Sequence, residues 1–113
     1  MKDLSLYKAQ KMINAWFTSL GVRHFSPLTN LGQLSEEVGE VARIMIRKYG
    51  DQSFKKSDKD RDLGAELADV LFSVICIADQ AEIDLSAAFL KKMEKRMSRD
   101  KKRHQSNTKI KKV

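Results

Sequence analysis

Residues 70–78, Val-Leu-Phe-Ser-Val-Ile-Cys-Ile-Ala, constrain this chain more than any other stretch. The run is apolar on nearly every side, and at nine residues it is far short of the roughly 20 that a membrane-spanning helix needs. Alone, it fits a buried strand or a buried helix equally well. The residues before it decide for a helix. They are helix formers, and the spacing of Glu66 and Asp69 puts both acids on one side of a 3.6-residue turn. A helix from about Lys59 to Gln80 aligns Asp62, Glu66, Asp69, Ser73 and Cys76 on one narrow polar ridge with apolar surroundings.

A greasy helix with an acidic ridge needs other helices to cover it, and the remaining chain offers them. Leu4, Tyr7, Ile13, Trp16, Phe17 and Leu20 recur at spacings of three and four, and Gly21 is a natural stop. After a loop holding His24 and Phe25, a second helix is expected from Pro27 or Thr29 to Tyr49. Its apolar stripe comprises Leu31, Leu34, Val38, Val41, Met45 and Tyr49. Residues 50–60 read as a polar, mobile loop. Asp84 is a ready N-cap for a fourth helix from Leu85 to about Arg99. One Pro and five Gly in 113 residues favour long helices over many turns. The expectation is one all-α domain, four-helix bundle-like, over residues 1–103, followed by a basic, disordered tail at 104–113.

The charge is unevenly placed. Residues 91–113 hold eleven Lys and Arg against Glu94 and Asp100, a net +9; the whole chain is +7, so residues 1–90 sum to −2. A basic end can touch nucleic acid, but a solvated tail is the commoner outcome and nucleic acid is not the expected partner. Cys76 is the single cysteine and cannot form an intramolecular disulfide, which suits a reducing compartment. The N-terminus turns polar too soon for a signal peptide. The chain reads as a soluble cytoplasmic protein without membrane contact.

Residues 35–42, Ser-Glu-Glu-Val-Gly-Glu-Val-Ala, place three more carboxylates on the second helix. On a helical wheel Glu36, Glu37 and Glu40 lie off the apolar stripe, and Ile44 lies beside them at about 120° from Val38. An exposed acidic patch is one reading of this stretch. Glu66 and Asp69 fit that reading poorly, because they sit against the core run. Two like charges about 4 Å apart repel by roughly 1 kcal/mol in water and about 4 kcal/mol at an effective dielectric of 20. Protein cations on the third helix are limited to Lys59 and Arg61 at its start. A divalent ion with oxygen ligands resolves the conflict, and the lack of paired His or Cys favours Mg²⁺, with Mn²⁺ possible, over Zn²⁺. Mg²⁺ held by carboxylates is typically completed by substrate phosphates. Lys92, Arg96 and Arg99 share a face of the fourth helix that suits phosphate oxygens, although on spacing alone a solvated face is the better account.

Glu36-Glu37-Val38-Gly39-Glu40, then Glu66-Leu67-Ala68-Asp69-Val70-Leu71-Phe72, resembles the EExxE…ExxD pattern of the MazG-like nucleotide pyrophosphohydrolases. These belong to the all-α NTP pyrophosphatase superfamily. Ile83-Asp84-Leu85 and the basic segment from Lys92 to Asp100 continue the likeness, which covers about residues 5–103. The resemblance implies Mg²⁺-dependent hydrolysis of nucleoside triphosphates between the α- and β-phosphates, to a monophosphate and pyrophosphate, as in nucleotide-pool house-cleaning. Glu37, Glu40, Glu66 and Asp69 would be metal ligands. Glu36 would be the catalytic helper that holds a further metal or orients the attacking water. Lys92, Arg96 and Arg99 would contact phosphates. Arg96 and Ser73 depart from the Asn and Tyr of many members. Trp16, with Phe17, either stacks on the base or belongs to the core. The resemblance also implies a homo-oligomer, dimer or tetramer, with the site at or near the subunit contact. The competing reading is a non-catalytic oligomeric module with a structural ion site and a nucleic-acid-contacting tail.

Overall fold

Each long helix is bounded by a local signal. In the computed structural model, which describes residues 3–58 and 61–112, α1 runs over Leu6–Leu20. The Ser5 hydroxyl accepts the Lys8 N–H at its start (3.1 Å), satisfying one of the amides a helix leaves free. At its end Gly21 takes the left-handed conformation, φ +66°, which a glycine adopts without a Cβ penalty. α2 spans Pro27–Tyr49, capped by Ser26 with proline at its first position, where the missing N–H costs nothing. It stops at Gly50, where a Cβ would run into the Ile46 carbonyl oxygen.

α3 is Leu63–Gln80. The expected start near Lys59 lies outside the described residues, and the helix begins later because Asp62 serves as its N-cap, accepting from the Gly64 and Ala65 amides at 3.1 and 3.3 Å. Asp62 therefore caps the helix instead of joining the acidic ridge. α4 is Leu85–Arg99, capped by Asp84 through the Ala87 N–H. A short α5, Lys101–Gln105, follows, crossing the boundary expected at residue 103. The described residues hold no strand, and no helix among them is long and apolar enough to cross a membrane.

α2 and α3 pair antiparallel: Asn30, near the start of α2, donates to Gln80 at the end of α3 (2.9 Å), and Glu40 and Arg43 reach the residues before α3. α1 lies across α3 and the start of α4. Its Gln10 both donates to the Ile83 carbonyl (2.7 Å) and accepts from the Leu85 N–H (3.0 Å).

The face that α2 turns to α3 differs from the apolar stripe read from the sequence. Asn30 and Ile44 are its buried residues; with Glu37 midway between them, they repeat every seven positions on one side. Val38 and Tyr49 of the stripe are 50% and 65% exposed. α3 is likewise only partly covered: Ser73, Ile75, Cys76 and Ala78 are buried, whereas Leu67 and Leu71 are 51% and 45% exposed. The α2–α3 connection is tethered and not the free loop its composition suggested. Lys56–Asp58 forms a 3₁₀ turn, and Asp58 is only 3% exposed.

Candidate metal centre

Pairing the inner faces of α2 and α3 brings three carboxylates together. One oxygen each from Glu37, Glu66 and Asp69 can lie within 4.8 Å of the others. Glu37 and Glu66 are half-buried and Asp69 is exposed, so the group opens to solvent on one side. Burial, and then the charges of Asp69, Glu66, Glu40 and Glu36, push the Glu37 carboxyl above its ordinary value. The cluster thus concentrates negative charge on Glu37 and Asp69, with Arg61 offsetting it only from the side of Glu66, and a bound cation would relieve it. Burial, and then Asp79, raise the Cys76 thiol. The oxygen-only donor set fits a hard divalent ion.

Glu40, expected beside these three, is instead ion-paired with Arg61. Arg61 also approaches Glu66 at 3.5 Å. Glu36 is exposed, at the rim. Lys92, Arg96 and Arg99 stand on exposed positions of α4, a helix that packs on α1. Among the described residues, the only ion pair of these three is that of Arg99 with Asp100 (3.2 Å). One protomer therefore does not bring the basic face to the acids. Trp16 is half-exposed and packs against Phe17 (tilted) and Phe72 (edge-on), with centroids 5.3 and 6.3 Å apart.

A cavity of about 270 Å³ adjoins the acids. Glu37 and Asp69 form part of its wall, and Phe17, Phe25 and Phe72 supply aromatic surface beside Asn30 and Gln33. Trp16 backs this wall through Phe72. Ser73 and Cys76 of the expected ridge also line the cavity, so the ridge leads from the acids into it.

Arg61 is joined behind the acids by two arginines of α2 that the acidic motifs do not mark. Arg43 forks onto Asp58 (2.6 and 3.2 Å), Arg47 lies 3.4 Å from it, and Arg61 lies 3.6 Å from it. Asp58 also accepts the Lys55 N–H at 3.1 Å. The Arg43 hydrogen bonds come first among the causes that hold the Asp58 carboxyl below its ordinary range. The i, i+4 spacing of Arg43 and Arg47 three residues after Glu40 was the available signal.

A family model described as the MazG nucleotide pyrophosphohydrolase domain matches residues 25–104. The uncharacterised protein YpjD of Bacillus subtilis is 33% identical over 103 residues, covering 91% of this chain and 93% of its own length. YvdC of the same organism is 24% identical over 99 residues, covering 81% and 92%. The crystal structure of YpjD, provisionally assigned as a pyrophosphatase, superposes with a TM-score of 0.77 at 31% identity over 88% of this chain and all of that one. That of the Bacillus-conserved MazG protein, a nucleotide pyrophosphohydrolase, gives 0.70 at 35% identity over 84% and 92%.

Proposed function

This chain belongs to the MazG nucleotide pyrophosphohydrolase family, and from that premise we propose that it hydrolyses nucleoside triphosphates between the α- and β-phosphates with Mg²⁺. The convergence of Glu37, Glu66 and Asp69 beside an aromatic-walled cavity carries this reading. Glu37, Glu66 and Asp69 would hold the ion, with Glu40, now paired with Arg61, as a further ligand. When bound, Mg²⁺ supplies charge for the phosphate oxygens and makes water a better nucleophile at neutral pH. Glu36, exposed next to Glu37, orients the attacking water. Water adds to the α-phosphorus and gives up a proton to Glu36, and the bond to the bridging oxygen breaks, its electron pair leaving with pyrophosphate.

The cavity gives the base a place against Phe17, Phe25 and Phe72, with Trp16 behind them, by the stacking that aromatic side chains offer nucleobases. Lys92, Arg96 and Arg99 take the phosphates. Because α4 stands away from the acids within one protomer, this role fits a homo-oligomer, dimer or tetramer, with the site near the subunit contact. Residues 1–103 form the working unit, and the tail from 104 is dispensable for hydrolysis. A cytoplasmic location would suit action on the nucleotide pool.

The test is pyrophosphate release from a panel of standard, deoxy and modified triphosphates with Mg²⁺. Wild-type protein should release it from at least one, and Glu37→Gln and Asp69→Asn should lower the rate at least about 100-fold, as loss of a charge-stabilising group does, with helicity unchanged. Silence of the wild type across the whole panel would sink the proposal. Truncation after Arg103 should leave the rate intact.

A further inference from the structure

Arg61 faces two ways. Its guanidinium pairs with Glu40 from α2 and approaches Glu66 from α3, so one cation joins acids 26 positions apart. From behind, it is held by Asp58, through an ion pair at 3.6 Å and through its own amide donating to the Asp58 carbonyl at 3.1 Å. Asp58 is itself fixed by Arg43, Arg47 and the Lys55 N–H. Arg61 is thus pre-oriented, and this ordering offsets much of the side-chain entropy that weakens ordinary surface pairs. Beyond it lies a cavity of about 480 Å³ lined by Ile44, Lys48, Phe54, Asp58, Asp62 and Leu63 as well as Arg61 itself. The side chain has room to withdraw there while staying near Asp58.

We infer that Arg61 is an internal counter-ion of the metal centre: its guanidinium holds Glu40 and lies against Glu66 before the divalent ion arrives, and gives the two carboxylates up when the ion binds. This inference rests on the reading of Glu37, Glu40, Glu66 and Asp69 as metal ligands. A guanidinium and a divalent cation cannot share the same carboxylate oxygens without strong mutual repulsion. The ion therefore binds in competition with Arg61, and the Asp58 tether returns the side chain when the ion leaves.

The experiment is calorimetric titration of the full-length, nucleotide-free protein with Mn²⁺ at fixed ionic strength, comparing wild type with Arg61→Gln and Lys48→Gln. Lys48 lines the same cavity and has no ion pair to Glu40 or Glu66 among the described residues, so its variant reports the general loss of one nearby positive charge. Arg61→Gln should bind Mn²⁺ about fivefold more tightly, the factor set by removing a pair worth about 1 kcal/mol, and Lys48→Gln within about twofold of wild type. In EDTA, Arg61→Gln should melt below wild type and gain more from added Mn²⁺. Arg61→Lys keeps the charge without the fork; it should bind with intermediate affinity, and it serves if the glutamine variant does not fold. Equal tightening by Arg61→Gln and Lys48→Gln, or none by Arg61→Gln and Arg61→Lys, overturns the inference. If neither wild type nor any variant binds Mn²⁺, the metal-site reading itself fails.

Discussion

Glu37 is where function and stability oppose each other. Its carboxyl is pushed up by burial and then by four neighbouring acids, so in the absence of metal the folded state pays for holding it. Glu37→Gln should therefore stabilise the metal-free protein by about 1 kcal/mol after allowing for solvent screening. If Glu37 is a metal ligand as proposed, saturating Mg²⁺ should reverse the order, since wild type then gains the greater binding energy. Urea unfolding in EDTA and then in Mg²⁺ reads both signs; a variant weaker than wild type in EDTA would count against the acid-strain account. Asp58 works the other way. Hydrogen bonds from Arg43, opposed by burial and helped by the Lys55 amide and the Arg43 and Arg47 charges, depress its carboxyl below 3.8. A depressed carboxylate contributes stability that is present above its unfolded value and lost as pH falls through the folded one. Asp58→Asn, which leaves Arg43, Arg47 and Arg61 facing one another, should lower Tm at pH 7. The gap from wild type should close as pH falls below 3.8, read by melting curves over that range.

Among the elements, what was legible in the sequence was local. Gly21, Pro27 and Asp84 end or begin helices through their own backbone and side-chain chemistry, and each does so where the pattern placed it. The acids of α2 and α3 were legible because helical spacing fixes their sides, and Ile44 beside them marked that side as partly buried. Pairing across the loop was not legible. Which face α2 turns to α3 depends on long-range contacts between Asn30 and Gln80 and between Arg43 and Asp58, and the apolar stripe misled because it stays outward in the protomer. Arg61 was visible as a cation, yet its reach to Glu40 depends on Asp58 being buried, which a polar loop composition hides. The joint between α1 and the α3–α4 turn was equally hidden. Gln10 alone closes both the Ile83 carbonyl and the Leu85 amide, so Gln10→Ala should cost about 1–2 kcal/mol in unfolding free energy. Asp84→Ala, which removes the α4 cap, should cost about 1 kcal/mol. Chemical denaturation of both variants checks the two figures.

At the scale of the whole molecule, one protomer exposes more surface than a compact chain of its size. Its accessible surface is 9451 Å², whereas a folded monomer of 12.9 kDa is expected to expose about 6300 Å². Its radius of gyration is 17.8 Å against roughly 13 Å for a compact chain of this length. The excess, about 3000 Å² by that scaling, exceeds the ~800 Å² per partner of a standard interface, which is what the proposed homo-oligomer would need to bury. The apolar candidates to fill it are in place: Val38 and Tyr49 along α2, Leu67 and Leu71 along α3. Folding and association should then be one event. For a dimer, each tenfold rise in protein concentration adds about 1.4 kcal/mol of apparent stability, so Tm should climb with concentration while a monomer's would stay fixed. Leu71→Lys should place a charge in the interface and lower Tm and oligomer mass together. Sedimentation equilibrium and melting curves over a hundredfold concentration range decide it; a folded monomer with a concentration-independent Tm would refute the assembly and leave the exposed α2 stripe without a partner.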